Sequence, residues 1–351
     1  MSLTHGTPAP RFVAPAPNNP AFYLESLGGQ YIVLAFLPEP GPARAAAVEL
    51  VARNPELFND ERALFFGVLP DKASFEAAVT APPLRWFGDW TGELRRLYDA
   101  VGAAGALEPQ WVILDPTLRV LGGALLDRGE ALLQQVAALG DPDRHAGAPP
   151  HAPVLIVPRV LERPLCAQLI DVYRRSNPGR SGVMRIRDGK TVGVLDNFKS
   201  RRDAEITEEA LRNQIRTRII QRLLPEVEKA FQFHATRIER YIVAGYDTAE
   251  SGRFKPHRDN TTPGTAHRRF AITINLNAED YEGGDLRFPE YGRRTYRAPT
   301  GGAVVFSCSL LHEAAPMVRG VRYAFLPFLY DEEGARIREA NRHNLELPAG
   351  D

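Results

Sequence analysis

The sequence predicts two domains of different fold class: an α/β domain, followed by an α+β double-stranded β-helix (jelly roll) with flanking helices. At 351 residues the chain exceeds what one ordinary hydrophobic core serves. Buried strands alternate with helices over residues 1–140, whereas short strands with Gly, Pro and Asn turns dominate after residue 236. Residues 141–153 have the Pro-, Gly- and Ala-rich composition of a linker, which leaves residues 154–351 for the second domain.

Composition and charge exclude several classes of protein. Lys plus Arg and Asp plus Glu both number 43, so no net charge draws the chain to nucleic acid or a membrane, and neither partner is expected. Cys166 and Cys308 are the two cysteines, far apart, which argues against a disulfide framework or a cysteine zinc site. The first residues lack the pattern of a signal peptide, and the apolar runs are too short to span a membrane, so a cytoplasmic location is expected.

In the first domain, short apolar runs bounded by turn residues predict buried strands. These are Tyr31–Leu37, Ala63–Pro70, and Gln110–Gly123, the last interrupted by an Asp-Pro turn. Helices are predicted over Ala43–Arg53, Lys72–Val79, Glu93–Val101 and Glu130–Leu139. This alternation favours a layered domain with a mostly parallel central sheet.

The element order of the first domain resembles thioredoxin-like domains of the peroxiredoxin type. Gly6, Ala9, Pro10 and Phe12 match that family's lead-in, and an apolar strand then runs into the loop Leu37–Ala47. In the family this loop holds the peroxidatic cysteine, but here it contains none. Because the thiolate is the nucleophile of that chemistry, the resemblance implies a catalytically silent domain, which we interpret as an adaptor for a substrate or partner.

The second domain opens with a predicted strand and a pair of helical regions. The predicted elements are a strand over Val154–Pro158, a helix over Pro164–Arg175, a hairpin or loop over Asn177–Asp203, a long amphipathic helix over Glu208–Phe231 with a break near Pro225, and a C-terminal helix followed by a polar end over Ala335–Asp351. Between the last two helices the strands dominate, and they predict the jelly roll.

Three side chains in the strand-rich region form a candidate metal site. His257 and Asp259 are alternate residues of one predicted strand, so both can face one ion. His312 follows the buried strand GGAVVFSCSLL, and its alternative role is a core histidine bonded to a backbone carbonyl. Taken together, two imidazoles and one carboxylate form the 2-His-1-carboxylate facial triad, which leaves open positions on a non-haem Fe(II).

Arg322 lies ten residues after His312 within the apolar segment RGVRYAFLPF. Burying a guanidinium without a partner is costly, and a carboxylate is its best-matched partner. That carboxylate belongs either to an internal residue, for example Asp285, or to a bound diacid.

Two further segments complete a family resemblance. EGGDLRFPEYG, at Glu282–Gly292, and PTGGAVVFSCSLLHEAAPMVRGVRYAF, at Pro299–Phe325, resemble motifs of the 2-oxoglutarate/Fe(II)-dependent dioxygenases, in the prolyl 4-hydroxylase-like branch. The resemblance spans Val154–Asp331. It implies Fe(II) as cofactor, 2-oxoglutarate and O₂ as co-substrates, and ascorbate as an optional reductant.

Residue by residue, the resemblance implies that His257, Asp259 and His312 bind the iron, and that Arg322 pairs with the distal carboxylate of 2-oxoglutarate. Tyr246 matches a tyrosine that lines the co-substrate pocket, with a core aromatic as the alternative. Asn275 occupies a position where many relatives carry a pocket tyrosine, and its amide is expected to bind a carboxylate.

The activity implied by the resemblance is hydroxylation of a C–H bond in a prolyl or other residue of a protein, with release of succinate and CO₂. One alternative is a hydroxylase of a free amino acid or other small molecule. A second alternative is a non-catalytic module for metal or 2-oxoglutarate sensing, or a scaffold. The basic loop Gly179–Arg202 is either a substrate-facing element or a solvated face.

Overall fold

The computed structural model describes residues 3–78, 83–101, 108–187, 189–195 and 197–344. Val79 and the tail beyond Asn344, both parts of predicted elements, lie outside these residues. The chain divides into two compact units: the first comprises Met1–His151 with Pro289–Arg293, and the second comprises Ala152–Phe288 with Arg294–Asp351. No helix in the described residues is both long and apolar enough to cross a membrane.

The first unit is a layered α/β structure around one mixed sheet. Its strands and helices in chain order are β1 (Val13–Ala16), β2 (Asn19–Tyr23), β3 (Tyr31–Phe36), α1 (Pro42–Ala52), β4 (Ala63–Leu69), α2 (Lys72–Ala77), β5 (Trp86–Gly88), α3 (Glu93–Leu97), β6 (Gln110–Leu114), β7 (Val120–Leu125) and α4 (Gly129–Ala138). The sheet order is β5-β4-β3-β6-β7, while β1 and β2 form a separate hairpin.

Strand direction in this sheet differs from the expectation. β3 pairs in parallel with β4, and β4 with β5, but β6 is antiparallel to both β3 and β7. The expected mostly parallel sheet is therefore wrong for its second half. The short turn after Asp115 forces β7 to run antiparallel to β6, and β6 itself enters the sheet antiparallel to β3. A βαβ unit followed by a ββα unit is the thioredoxin-like arrangement, which confirms the predicted fold class.

The continuous apolar sequence of β3 follows from its central position in the sheet. All six of its residues are buried. Ile32 and Leu34 pack into one hydrophobic cluster, and Tyr31 and Val33 pack into another on the opposite face. A strand covered on both faces needs apolar side chains at every position.

The second unit is built from antiparallel strands with helices on one side. Its elements in chain order are β8 (Leu155–Val157), α5 (Arg163–Arg175), β9 (Gly179–Arg180), β10 (Val183–Arg187), β11 (Lys190–Val194), β12 (Lys199–Ser200), β13 (Arg202–Glu205), α6 (Glu209–Arg218), α7 (Leu224–Phe231), β14 (Arg237–Glu239), β15 (Ile242–Asp247), β16 (Arg253–His257), β17 (Phe270–Asn275), β18 (Glu282–Gly283), β19 (Leu286–Arg287), β20 (Thr295–Tyr296), β21 (Ala303–Ser307), β22 (His312–Ala314), β23 (Met317–Arg319), β24 (Val321–Phe325), β25 (Phe328–Tyr330) and α8 (Glu332–Ala340).

Two sheets form the jelly roll. The larger has the order β14-β25-β17-β24-β15-β13-β9, with β21 joining β17 to β8, and the smaller has the order β12-β16-β22-β19-β20. A separate pair, β10 and β11, makes a hairpin within the predicted basic loop. This architecture confirms the predicted fold class of the second domain.

The helices of the second unit cover the larger sheet. Leu169 of α5 and Ile215 of α6 share a hydrophobic cluster with Val243 and Ile272 of the sheet. A π-helical turn, Ile219–Leu223, separates α6 from α7 just before Pro225, which confirms the predicted break. Proline lacks the N–H of the regular helical bond, so the ladder is interrupted there.

Candidate active site

The three candidate metal ligands lie together although 55 residues separate the first from the last in the sequence. His257 ends β16 and stands opposite His312, which begins β22. The backbone N–H of Asp259 donates to the carbonyl of Cys308 at 3.0 Å, which holds the carboxylate-bearing segment beside the same strand connection. One ligand atom from each of the three side chains lies within 4.8 Å of the others. Antiparallel strand pairing thus assembles the candidate triad.

Backbone carbonyls orient both imidazoles. The Nδ1 atom of His257 lies 2.8 Å from the carbonyl oxygen of Lys255, and that of His312 lies 3.0 Å from the carbonyl oxygen of Leu310. Because a carbonyl only accepts, each Nδ1 carries a proton, and in the neutral ring Nε2 is then the nitrogen with the lone pair. The alternative role expected for His312 was a hydrogen bond to a backbone carbonyl. His312 makes that bond through Nδ1, which leaves Nε2 for a metal.

The two free Nε2 atoms face the same carboxylate. His257 Nε2 lies 3.6 Å from Asp259 Oδ1, and His312 Nε2 lies 3.3 Å from Asp259 Oδ2. Neutral imidazole nitrogens and carboxylate oxygens are all acceptors at these atoms, so a cation between them satisfies all three. Two imidazoles and one carboxylate match the donor set of non-haem Fe(II).

Burial sets the protonation of these groups. Burial lowers the pKa of His257 well below its usual value, and His312 lowers it further, against the opposing effect of Asp259. For Asp259, burial opposes ionisation, but the neighbouring His312 and His257 lower the carboxyl pKa below its usual range. Near neutral pH the site therefore presents a neutral imidazole and a carboxylate, which are the forms that bind a metal.

Aromatic rings form one wall beside the triad. Phe254 stacks on His257 with ring centroids 3.4 Å apart, and Phe306 lies 4.6 Å from His312. The ring of Phe288 lies 6.2 Å from His312. Such an apolar shell limits solvent access and lowers the local dielectric around a metal site.

Arg322 is buried without a neutralising carboxylate. It lies on β24, is 2% exposed, and its guanidinium donates to the carbonyl of Gly284. Its Nε–H finds no acceptor among the described residues. Asp285, the expected internal partner, instead accepts from Arg297 with an Nε–Oδ1 distance of 2.5 Å. The buried positive charge is available for an external anion.

Tyr246 lies beside Arg322, and both line the cavity that also contains the triad. The two residues are directly paired across β15 and β24, and the guanidinium carbon of Arg322 lies 5.2 Å from the Tyr246 ring centroid. The cavity has a volume of about 500 Å³, including space open to solvent. The structure thus places His257, Asp259, His312, Arg322 and Tyr246 around one space.

Asn275 is not brought to this cavity. Its side-chain amide donates to the carbonyl of Ala298 at 2.7 Å, and its Oδ1 is buried without a donor among the described residues. Thr273, two residues earlier on β17, lines the cavity instead. Thr273 and Asn275 project to the same face of β17. Asn275 lies two residues nearer the end of the strand, where its amide donates to the backbone carbonyl of Ala298.

Three basic residues of the cavity wall complete the site. Lys199 and Arg201 belong to the basic loop, whose alternative interpretation was a solvated face. Both side chains are buried, at 7% and 6% exposure. Arg240, between β14 and β15, was missed because nothing in TRIERYIVAGY distinguishes it from an outward-facing residue.

The first unit is similar in structure to a peroxiredoxin-type protein. The crystal structure of Peroxidoxin BcpB from Mycobacterium tuberculosis aligns with 39% of this chain and 99% of its own, at 18% identity and a TM-score of 0.35.

The second unit is similar in sequence to hydroxylases. A PKHD-type hydroxylase of Synechococcus sp. is 39% identical over 56 residues, which are 15% of this chain and 25% of that protein. Procollagen-lysine,2-oxoglutarate 5-dioxygenase 1 of Mus musculus is 31% identical over 118 residues, which are 32% of this chain and 15% of that protein. The chain thus spans a quarter or less of the length of these two relatives.

The family model of the 2OG-Fe(II) oxygenase superfamily matches residues 240–330. This segment contains the candidate triad, Tyr246 and Arg322. The similarity of this chain to the 2OG-Fe(II) oxygenase superfamily, at residues 240–330, therefore lies within the second unit apart from Pro289–Arg293.

Proposed function

We propose that the second unit is an Fe(II)/2-oxoglutarate-dependent dioxygenase that hydroxylates a C–H bond in a prolyl or other residue of a protein or peptide, releasing succinate and CO₂. One observation supports this above the others: a complete 2-His-1-carboxylate set and an unneutralised buried arginine line the same cavity. The match to the oxygenase superfamily supports the reaction class. The similarity to a relative named for procollagen-lysine supports a protein substrate.

The residues present fit an iron site. His257 Nε2, His312 Nε2 and a carboxylate oxygen of Asp259 would hold Fe(II), since all three atoms are lone-pair donors directed at one another. When bound, the iron supplies activation of O₂ coupled to oxidative decarboxylation of the 2-oxo acid. The chain's own contribution is to fix the two imidazoles through their Nδ1–H donors and to exclude water with Phe254 and Phe306.

Arg322 would position the co-substrate. A guanidinium binds a carboxylate through two parallel N–H···O bonds, and this geometry suits the distal carboxylate of 2-oxoglutarate. Tyr246, paired with Arg322 across the strands, closes the same side of the cavity. Binding the distal carboxylate of 2-oxoglutarate would orient its 2-oxo acid end, so that the reacting groups are positioned before the reaction begins.

Replacement of the triad tests this function directly. His312→Ala and Asp259→Ala should each abolish metal binding, measured with Mn(II) by electron paramagnetic resonance, and succinate formation with Fe(II), 2-oxoglutarate and ascorbate. His234→Ala, at a histidine whose side chain is 76% exposed, serves as the matched control. Undiminished succinate formation by either triad variant would refute the assignment.

A small-molecule hydroxylase is the second candidate. The observation that favours it is the basic wall of the cavity, formed by Lys199, Arg201 and Arg240, which suits a compact anion. Free amino acids therefore belong in the same succinate assay as peptides. Metal and 2-oxoglutarate binding without any succinate would instead support the sensing or scaffold function.

For the first unit we propose an adaptor without peroxidase activity. Both cysteines of the chain, Cys166 and Cys308, lie in the second unit, so the loop after β3 has no thiol to offer. A cytoplasmic location remains part of this proposal.

A further inference from the structure

The cavity has more positive than negative side chains. Beyond Arg322, three cations line it: Lys199, Arg201 and Arg240, hereafter the cationic cluster. Arg201 donates to Asp203 Oδ2 at 2.6 Å, and Arg240 lies 3.8 Å from the same oxygen. In the described part of the chain, Asp203 is the carboxylate paired with this cluster. One carboxylate thus accompanies three basic side chains.

Lys199 and Arg201 are buried, and not all of their N–H donors have acceptors among the described residues. Lys199 Nζ donates to Ser181 Oγ at 2.6 Å and to the carbonyl of Gly182 at 3.0 Å, both neutral acceptors. Arg201 Nε has no acceptor among the described residues. Burial and the adjacent Arg201 hold the pKa of Lys199 well below its usual value. Buried charges of one sign are costly unless an opposite charge compensates them.

Arg240 makes fewer polar contacts than the other two side chains of the cluster. Its side chain is 27% exposed, and its backbone has a φ of +73°, a conformation that non-glycine residues adopt rarely. Its contacts among the described residues are the ion pair with Asp203 and the Phe328 ring, whose centroid lies 5.2 Å away. No hydrogen-bond acceptor in that part of the chain reaches its guanidinium, so its five N–H donors remain available.

The proposed co-substrate does not account for the cluster. In the proposed site the charge of Fe(II) and that of Arg322 balance Asp259 and the two carboxylates of 2-oxoglutarate. Arg201 and Arg240 then share the single carboxylate of Asp203, so one positive charge stays uncompensated on the cavity wall. Because Arg201 lies closer to that carboxylate, Arg240 is the cation left for an anion other than the co-substrate.

We propose that the cationic cluster binds a carboxylate of the primary substrate, so that the substrate class is acidic. Arg240 offers an open guanidinium fork, and the guanidinium of Arg201 adds positive potential behind it. The inference rests on the proposed dioxygenase function and adds the substrate class to it. A neutral prolyl peptide would leave the cluster uncompensated.

The test compares matched acidic and neutral probes. Succinate formation is measured with Fe(II) and 2-oxoglutarate in the presence of Gly-Glu-Pro-Glu-Gly or Gly-Gln-Pro-Gln-Gly, and of L-glutamate, L-aspartate or their amides. We expect a carboxylate probe to stimulate turnover roughly tenfold more than its amide partner, less than for a fully buried charge pair, because the Arg240 side chain is 27% exposed. A panel in which no carboxylate probe is preferred overturns the proposal.

Variants assign the preference to the cluster. Arg240→Gln should remove the preference for carboxylates, and Arg240→Lys, which keeps the charge, should retain it in part. Arg175→Gln, at an exposed arginine of α5, is the matched control. A preference that survives Arg240→Gln in a protein with wild-type thermal unfolding overturns the proposal.

The affinity for 2-oxoglutarate distinguishes failure of the acidic-substrate proposal from failure of the proposed dioxygenase function. The Kd of 2-oxoglutarate on Mn(II)-loaded Arg240→Gln protein should stay within about twofold of wild type. A Kd raised tenfold or more would assign the cluster to the co-substrate and overturn this inference, while leaving the dioxygenase function intact. Absence of succinate from wild-type protein under all conditions would overturn the function, and the inference with it.

Discussion

Replacing Arg322 with glutamine separates a co-substrate ligand from a structural arginine. Arg322→Gln removes the charge but keeps a polar, shorter side chain at this position. The guanidinium is 2% exposed, and no carboxylate of the described residues neutralises it. If its partner is the distal carboxylate of 2-oxoglutarate, the variant should lose affinity for the co-substrate without losing stability.

The magnitude follows from the burial of this charge. Removing one partner of a buried, hydrogen-bonded charge pair costs about 2–5 kcal/mol. A loss of about 3 kcal/mol raises the Kd of 2-oxoglutarate roughly 150-fold. At a co-substrate concentration of about 100 times the wild-type Kd, binding stabilises the wild-type protein by about 2.7 kcal/mol. The same concentration should stabilise the variant by about 0.3 kcal/mol.

Calorimetric titration of 2-oxoglutarate into Mn(II)-loaded protein measures the Kd, and thermal unfolding with and without the co-substrate measures the stabilisation. Arg319→Gln is the control, because that arginine is 65% exposed and pairs with Glu282 at the surface. Without co-substrate, Arg322→Gln should unfold at the wild-type temperature or above it, since the variant no longer buries an uncompensated charge. A Kd within about twofold of wild type, or a ligand-free protein destabilised by several kcal/mol, would contradict the assignment.

Two further predictions concern the fold and the thiols. Gly301→Ala should destabilise the second unit by about 1–3 kcal/mol in chemical unfolding, because the backbone φ is +77° and an added Cβ would lie 2.1 Å from the carbonyl oxygen of Leu161. Gly193→Ala, where no atom lies within 4 Å, is the control, and equal losses in both variants would contradict the explanation. Burial raises the pKa of Cys166 to about 11 and that of Cys308 well above its usual value. Iodoacetamide at about pH 8 should therefore modify the folded protein on the order of a hundredfold more slowly than the unfolded chain, and peroxide should not be consumed with thiol reductants. Fast modification or sustained peroxide turnover would overturn the expectation of inert thiols.

The strands of the first unit could be predicted because each is an apolar run bounded by turn residues. Their directions could not, because the direction in which β6 pairs with β3 leaves no trace in hydrophobic periodicity. Trp86–Gly88 was missed since three residues are too few to show a period. The helix predicted to reach Val101 ends at Leu97, shortly before Asp99 takes a positive φ.

The candidate site divides in the same way. His257, Asp259 and His312 could be predicted because their motif spacing identifies chemically matched side chains. The expected strand alternation of His257 and Asp259 is wrong, since β16 ends at His257 and Asp259 lies in the turn that follows. The partner of Arg322 could not, since only the three-dimensional structure shows that Asp285 is paired with Arg297. Arg240 was invisible to sequence reasoning because its approach to the cavity depends on a positive φ rather than on a periodic pattern.

Each imidazole donates to a backbone carbonyl two residues before it in the chain. These bonds affect which substitutions the cavity can accept. Because main-chain atoms orient both rings, no neighbouring side chain is required for that purpose. Substitutions at wall positions such as Thr273 or Leu286 should alter the shape of the cavity while leaving the histidine geometry unchanged. Directed evolution of substrate range can therefore vary such wall positions, outside Arg322, Tyr246 and the cationic cluster, and keep the two histidine-bearing strands unchanged.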